Sequence, residues 1–477
     1  MGFVGGLRRA LGSMCVLALT AGACTSHGTP RPTPPPSIRR YAVGGTLRIG
    51  VPVFSGSTLS SAKALDPQKD YFADSWEAFR CCLLRTLVSY NGQDTTHGGA
   101  ILRPDLATAL PTLSSDGLTW TFHLRAGLHY GPPLQQVEIT APDIIRALDR
   151  EANKKASEGG YSFYYSVIAG FDDYAAGTAG SISGLEAPDP HLLVVHLAHP
   201  EGDLGQLFSL AATAPIPPDP ADPSAPFGVA TGHDDGYGPF LVSSGPYMIE
   251  GSDRLKSSSV VSGYVPGKSL ILVRNPSWRA STDPLRPAYA DRIELLLGGD
   301  LDADSAKLDD GTLDLVMYPG PYPQAPASQI DRYRADPSLG SIVVEPRDFL
   351  RYISMNLAVP PLDDIHVRKA INFAVDKAAA REAFGGPDSA DIIGHIVLNS
   401  LENNLLLHYD PYAGPGDHGD LAAARREMAL SKYDSDHDGL CDAAVCDGLE
   451  ALVFDFPQHV KTADAISGSL AGIGIKL

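Results

Sequence analysis

The chain has 477 residues, of which 44% are hydrophobic, and its formal net charge is −19 at pH 7. This length exceeds what a single hydrophobic core serves and predicts two or three domains. The negative charge argues against nucleic acid as a partner, because nucleic acid is bound through Lys and Arg that neutralise phosphate. Beyond residue 25 no apolar run is long enough to predict a transmembrane helix.

The first 24 residues have the features of an export signal. Arg8 and Arg9 precede a short apolar run that ends in small residues before Cys24. The stretch "LTAGAC" resembles the lipobox of bacterial lipoproteins, whose cysteine is acylated, although Ala21 stands where that pattern prefers Leu. We predict a signal peptide over 1–23, lipid on Cys24 and a Pro-rich tether over 24–43. The alternative is a cleaved leader whose cysteine has no role.

Four further cysteines remain once Cys15 leaves with the leader and Cys24 carries lipid. An oxidising exterior allows disulfides, and Cys441 and Cys446 are close enough in sequence to pair. Cys81 and Cys82 are adjacent, and neighbouring cysteines rarely bond to each other because the peptide between them is strained. One of them can instead be buried as a small apolar residue, so the sequence leaves their state open.

Strand patterns dominate the first 300 residues. In 118–125 apolar and polar residues alternate, which indicates a half-buried strand. Thr140, Pro142 and Asp143 have the spacing of a helix start, with Thr140 as the N-cap. Further strands are predicted over 44–53, 191–197, 269–275 and 292–297.

From about residue 340, strands and helices alternate. Strands are predicted over 341–345 and 352–357, and a single helix from the N-cap Asp364 to the glycines 385–386. A helix over 421–430 precedes a predicted βαβ unit, made of a strand at 449–456, a helix at 462–472 and a strand at 473–477. The pattern as a whole predicts an α/β protein with at least two sheets.

Motifs that carry catalysis are missing from the sequence. It contains no G-x-S-x-G nucleophile elbow, no H-E-x-x-H and no P-loop, and its 14 histidines are scattered. A secreted hydrolase would need a constellation around a nucleophile, and the sequence offers none. We therefore do not expect an enzyme.

The stretch "DSDHDGLCDAAVC" at 434–446 has the spacing of a calcium loop. Asp434, Asp436 and Asp438 take positions 1, 3 and 5, the Leu440 carbonyl position 7 and Asp442 position 9. Position 12 holds a valine in place of the bidentate Glu of an EF-hand, and Asp447 or Glu450 could substitute for it. The alternative is an Asp-rich turn without metal. The loop connects two predicted elements, so we expect a metal and disulfide staple and no part in a ligand cleft.

Seven blocks in order resemble the extracellular solute-binding proteins of family 5, the oligopeptide and dipeptide receptors of ABC importers. The blocks lie at 44–50, 65–67, 102–131, 139–150, 243–250, 274–278 and 355–377. The resemblance implies a bilobal, type II periplasmic-binding-protein-like α/β fold, in which two lobes close on a ligand. It places lobe I at 44–340, with an inserted subdomain at about 76–240, and lobe II at 341–477.

The resemblance also implies where a ligand binds. The loop after the first strand contributes Ser55 and Ser57, and the chain entering lobe II contributes Tyr352 and Asn356. The alternative for Tyr352 and Asn356 is a purely mechanical role at the hinge. The chain stops at "SLAGIGIKL", where the family continues, so we expect lobe II to be incomplete in this sequence.

The function implied is the capture of peptides outside the cell and their delivery to a membrane permease. The protein would be a monomer, lipid-anchored at the outer face of the cell membrane, with no required cofactor and with calcium as the ion that the acidic loop would take. Within the same class, metal chelates, opines or sugars are alternative ligands. From another class, a calcium-stabilised surface or adhesion lipoprotein is the alternative.

Overall fold

The computed structural model describes residues 42–52, 59, 65–71, 73–228, 237–256, 261–317, 325–339, 350–387, 389–399, 401, 404–454 and 456–477. Cys24, Ser55, Ser57 and the strand predicted over 341–345 lie outside these ranges, as does the leader predicted over 1–23. The predictions made for them therefore stay predictions.

The strands lie in the first two thirds of the described chain. They are β1 Thr46–Pro52, β2 Val88–Ser89, β3 Arg103–Pro104, β4 Thr112–Leu113, β5 Thr119–His123, β6 Leu185–Asp189, β7 Leu192–His196, β8 Pro218–Asp219, β9 Asp222–Pro226, β10 Tyr247–Ile249, β11 Tyr264–Val265, β12 Ser269–Arg274, β13 Arg292–Gly299 and β14 Leu315–Val316.

The α-helices are spread over the whole described chain. They are α1 Ala73–Ala78, α2 Ala141–Ala152, α3 Ser162–Tyr165, α4 Phe171–Ala175, α5 Leu204–Leu207, α6 Leu301–Asp309, α7 Ala327–Ala335, α8 Ile365–Ala374, α9 Lys377–Phe384, α10 Leu421–Met428 and α11 Pro457–Ala471. Among the described residues, no helix combines the length and the hydrophobicity needed to cross a membrane.

A mixed sheet is built around the first predicted strand. Its order is β10-β12-β13-β1-β14, and β11 pairs with β12. β1 runs parallel to both β13 and β14, whereas β12 is antiparallel to β13. The predictions of strands at 44–53, 269–275 and 292–297 are confirmed.

A second, antiparallel sheet has the order β4-β5-β7-β6. Trp120 and Phe122 of β5 are buried between less buried neighbours, as the alternation predicted. The predicted helix start is confirmed in α2, where the Asp143 carboxylate accepts a hydrogen bond from the Thr140 backbone N–H (3.0 Å). All four strands and α2 fall within the insert predicted at about 76–240, while the lobe boundaries themselves stay predictions.

Two large hydrophobic clusters form the core. The first contains the buried residues of both sheets and α2, from Val51 to Leu297. The second is smaller and unites α8, α10 and α11 through buried residues such as Val367, Met428 and Leu470. A chain of this length was expected to need more than one core, and the clusters divide between 51–297 and 367–475.

Three strand predictions in the last part of the chain are wrong. Residues 352–357 and 449–454 form no strand and have no sheet partner among the described residues, and 473–477 contribute one parallel bridge, Asp447↔Lys476. An apolar pattern alone does not make a strand, because a strand also needs a neighbour that supplies the ladder hydrogen bonds. The helix between the last two segments is present as α11, so the βαβ unit is reduced to a helix flanked by that bridge.

The helix predicted from Asp364 to the glycines 385–386 is two helices. α8 ends before Val375, whose φ and ψ of −63° and 120° are extended, and α9 begins after Asp376. The Asp376 side chain accepts a hydrogen bond from the Ala379 backbone N–H (2.7 Å) and so caps α9. The prediction of one continuous helix is therefore corrected by an internal cap.

Both cysteine pairs outside the leader are disulfide-bonded. Cys441 and Cys446 are joined as predicted, with their Cα atoms 6.3 Å apart. Cys81 and Cys82 are also joined to each other, contrary to the rule that neighbours rarely pair. They lie in a short π-helical turn, Phe79–Leu83, where the backbone departs from the ordinary α-helix. The structure thus resolves the state of Cys81 and Cys82, which the sequence had left open.

Candidate functional site

The parallel strands of the mixed sheet end at a common edge. β1 ends at Pro52, β13 at Gly299 and β14 at Val316, and all three run in the same direction. In open α/β sheets, ligands bind in the crevice outside the carboxyl ends of the strands. Ser55 and Ser57 directly follow β1 in the sequence. This carboxyl edge is therefore the candidate binding region.

A buried carboxylate close to this edge was missed by the sequence analysis. Asp304 on α6 is 1% exposed. Its Oδ1 accepts a hydrogen bond from Lys307 Nζ (2.9 Å), and its Oδ2 has no hydrogen-bond partner. A Cβ added at Gly50 would lie 3.1 Å from that Oδ2, and one at Gly299 would also meet the carboxylate. Gly298 and Gly299, which end β13 directly before the acidic start of α6, were the signal that could have found it.

Asp304 can hold the ends of β1 and β13 in place, since its buried carboxylate lies beside Gly50 and Gly299. Its burial keeps it from solvent, so it is a candidate positioning residue and no direct ligand contact is assigned to it. The helix that carries it starts at the same edge, where Asp300 Oδ1 accepts a hydrogen bond from the Ala303 backbone N–H (2.7 Å). The cap and the buried carboxylate together fix the chain that leaves β13.

Tyr352 and Asn356, the predicted ligand residues of the second lobe, lie on an exposed segment without regular secondary structure. The Tyr352 side chain is 70% exposed. The Asn356 side-chain oxygen accepts a hydrogen bond from the Ala358 backbone N–H (3.1 Å). Next to them, the Arg351 guanidinium lies 3.9 Å from the centre of the Phe384 ring, which ties the segment to α9. Both predicted residues are therefore accessible, and the described residues do not enclose them in a pocket.

A small polar cavity elsewhere is too small for a peptide. Its volume is about 50 Å³, far below the roughly 300 Å³ at which ligand pockets begin. Its walls include Arg85, His129, Ser244, Trp278 and Thr282.

The wall of this cavity belongs to a buried ion network. Asp105 Oδ1 accepts from Arg85 Nε (2.7 Å) and its Oδ2 from Arg286 (2.6 Å). Arg286 also contacts Asp283, which accepts a hydrogen bond from Trp278 Nε1 (2.9 Å). Burial by itself raises the pKa of Asp105, but the two guanidiniums outweigh it and hold that pKa below its ordinary value. With its charges mutually paired, the network holds segments together and leaves little charge for a ligand.

The predicted metal residues are brought together. One carboxylate oxygen from each of four side chains lies within 4.8 Å of the others, these being Asp434, Asp436, Asp438 and Asp442. Leu440 lies in the same loop, and its backbone N–H donates to the Asp438 carboxylate (2.8 Å). The loop follows α10, as predicted, but the next α-helix or strand is α11, because the strand predicted after the loop is not formed. It is remote in sequence from the carboxyl edge of the mixed sheet.

Comparison with known proteins gives the broader context. Residues 102–477 match the model of the bacterial extracellular solute-binding proteins, family 5. The chain is 22% identical to heme-binding protein A of Haemophilus influenzae, over 60% of this chain and 47% of that protein. It is 25% identical to the dipeptide-binding protein of Escherichia coli, over 57% of this chain and 45% of that protein. It thus spans about half the length of the curated relatives it matches.

Solved structures agree in fold. The structure of clavulanic acid biosynthesis oligopeptide binding protein 2 matches with a TM-score of 0.70 and 30% identity, over 91% of this chain and 71% of that one.

Proposed function

Because the chain belongs to family 5 of the bacterial extracellular solute-binding proteins, we propose that it captures peptides outside the cell and delivers them to an ABC permease. The family match covers most of the chain, and two of the similar proteins are named for binding dipeptides or oligopeptides. Membership in a family of binding proteins also agrees with the expectation that the chain is not an enzyme.

The observation that carries the proposal is the fold match over 91% of the chain at a TM-score of 0.70 and 30% identity. The fold is the bilobal α/β fold of type II periplasmic binding proteins. In such proteins, lobes that close by a hinge motion hold the ligand. The carboxyl edge of β1, β13 and β14 supplies one wall, and the exposed segment with Tyr352 and Asn356 supplies a second contact.

Peptide capture would rely mainly on main-chain contacts. An extended peptide offers backbone N–H and C=O groups at regular spacing, so a receptor can bind many sequences by pairing with them. Ser55 and Ser57 would act through backbone and hydroxyl groups, Asn356 through its amide and Tyr352 through its ring and hydroxyl. None of these interactions requires a cofactor.

A peptide library in a thermal-shift screen tests the ligand class. Saturable increases in melting temperature with peptides are expected, because a ligand that binds the folded state alone stabilises it. Heme is included because one relative is named for binding it, and an opine and a sugar set test the remaining alternatives. A shift with one of these solutes and none with peptides would replace the proposed ligand class.

Variants at the predicted contacts test the site. Tyr352→Ala and Asn356→Ala are expected to weaken peptide binding by roughly tenfold each, the loss of one or two hydrogen bonds or a ring contact. Tyr409→Ala is the matched control, since Tyr409 is similarly exposed at 57% and lies outside the predicted site. Equal losses in Tyr352→Ala and Tyr409→Ala would show a general effect and refute the assignment.

The family is extracellular, and we propose that this chain is held at the membrane surface as a monomer by lipid on Cys24. The support is the basic and apolar leader that ends in "LTAGAC", followed by a Pro-rich stretch suited to a tether. In a bacterial host, Cys24→Ala is expected to move the protein from the membrane fraction to the soluble fraction. Cys15→Ala is the matched control, because Cys15 lies within the leader, and release by that variant as well would contradict the anchor.

A further inference from the structure

We propose that the acidic loop, Asp434–Asp442, is a calcium site that fastens the small second core. The carboxylates of Asp434, Asp436, Asp438 and Asp442 would bind the ion, together with the Leu440 carbonyl that the spacing of the loop provides. This inference concerns the stability of the protein and stands independently of the ligand that the protein captures.

Four carboxylate oxygens within 4.8 Å of one another repel each other unless a cation lies between them. Three basic residues within or close to the loop in sequence have other partners. Lys432 Nζ contacts Asp363 (2.7 Å), His437 Nδ1 contacts the Ala429 carbonyl (2.7 Å) and Arg425 Nε contacts the Gly472 carbonyl (3.1 Å). Within the described chain, no ion pair is recorded for the four carboxylates. A cation bound from solution would therefore neutralise their charge.

A second observation comes from Asp434, whose residue is 1% exposed. Its Oδ2 accepts a hydrogen bond from the Gly439 backbone N–H (2.8 Å), while its Oδ1 is buried and has no hydrogen-bond partner. A buried carboxylate oxygen without a partner is strongly unfavourable and rare in folded proteins. Because this side chain belongs to the four-carboxylate cluster, a bound cation would supply the missing partner.

The other three carboxylates leave the site open to solvent. Asp436, Asp438 and Asp442 are exposed, so an ion can enter and leave without opening the core. The site thus combines one buried carboxylate with three that are exposed to solvent. Such a site can exchange its ion with the medium.

The donor set favours calcium among common ions. All the ligands are oxygens, which suits hard cations, and carboxylates in an irregular loop tolerate the variable geometry of Ca²⁺ better than the strict octahedron of Mg²⁺. Soft metals prefer thiolate ligands, but Cys441 and Cys446 are oxidised to a disulfide. The only histidine inside the loop, His437, is directed to the Ala429 carbonyl.

The loop is attached to each helix of the second core. Before the loop, Ser431 Oγ donates to Asp364 at the start of α8 (2.8 Å). Near its end, the Cys441 backbone N–H donates to the Ile473 carbonyl beyond α11 (3.0 Å). A Cβ at Gly439 would meet Arg425 of α10, so the turn lies directly on that helix. An ion in the loop would therefore stabilise the packing of α8, α10 and α11.

The test uses the full chain, stripped of metal with EGTA and titrated with CaCl₂ by calorimetry and in thermal unfolding. We expect one Ca²⁺ per chain and a rise in melting temperature that saturates with the binding curve. Asp438→Asn keeps the side-chain oxygen that accepts from Leu440 but removes a charge, and is expected to weaken Ca²⁺ binding by roughly tenfold or more. Asp436→Asn is a second variant with the same expectation.

Asp391→Asn is the matched control, since Asp391 is exposed and lies outside the loop. It should bind Ca²⁺ like the unmodified chain. No binding at millimolar free Ca²⁺ would overturn the proposal, as would equal loss in Asp391→Asn and Asp438→Asn. MgCl₂ or ZnCl₂ binding as tightly as CaCl₂ would overturn the assignment of the ion.

Discussion

At the scale of single residues, charge is buried in two ways. Asp105 is surrounded by Arg85 and Arg286, and its carboxylate stays ionised because both guanidiniums contact it. Glu151 on α2 is equally buried, but both of its carboxylate oxygens lack hydrogen-bond partners. Burial raises the pKa of Glu151 to about 9, with Arg150 opposing the shift and Asp66 adding to it. The first group is charged at neutral pH, and the second is protonated.

The raised pKa of Glu151 makes stability depend on pH. The folded state holds a proton that the unfolded state releases above its own pKa of about 4.3, so the contribution is fully present at low pH and is lost as pH rises toward about 9. In Glu151→Gln the side chain cannot ionise. This variant is expected to be more stable than the unmodified chain at pH 8, by about 1 kcal/mol or more, and to lose that advantage at pH 5.

Urea unfolding at both pH values measures this difference. Glu77→Gln serves as control, because Glu77 forms an exposed pair with Arg80 whose loss changes stability by less than about 1 kcal/mol at either pH. A Glu151→Gln variant with the same pH dependence as the unmodified chain would show that Glu151 is ionised in the folded protein.

At the scale of elements, the sequence predicted where most strands lie but not which segments pair with them. β1, β5, β7, β12 and β13 were found from apolar alternation and β-branched runs, and each has a neighbouring strand. Residues 449–454 have the same kind of pattern, yet Leu452 is fully exposed and the segment is unpaired among the described residues. Periodicity reports which residues would suit a strand, whereas pairing depends on distant parts of the chain.

Of the candidate sites, too, the sequence predicted the parts whose residues are neighbours in the chain and missed those formed by remote residues. The cluster of four carboxylates in the acidic loop was predicted because its members are close in sequence and follow the spacing of a calcium loop. Asp304 was missed because its environment is made by Gly50 and Gly299, which are remote from each other in sequence. The break between α8 and α9 was missed because an Asp such as Asp376 is compatible both with a helix cap and with the exposed face of a continuous helix.

The cap at Asp376 should be measurable. Asp376→Ala removes the acceptor for the Ala379 N–H and is expected to cost about 1 kcal/mol of unfolding free energy. Asp376→Ser restores a capping oxygen and should recover most of that loss. Urea unfolding measures both variants, and equal stability of Asp376→Ala and Asp376→Ser would mean that the cap contributes nothing.

At the scale of the whole molecule, the two clusters differ in how they are held. The first unites two sheets and α2 through large buried side chains such as Phe122, Tyr165 and Phe208. The second rests on three helices with several alanines, a disulfide and the acidic loop. Since smaller cores bury less apolar surface, covalent and metal links contribute proportionally more to their stability. We therefore place the staple in the second cluster and the ligand edge in the first.

The central claim is that this family 5 protein binds peptides, and native mass spectrometry of the mature chain after incubation with a peptide mixture tests it most directly. The account expects one peptide per chain, with varied sequences retained, because main-chain contacts tolerate different side chains. Circular dichroism of the same sample establishes that it is folded. A folded chain that retained no peptide, or that took up only heme, an opine or a sugar from a mixed pool, would contradict the claim.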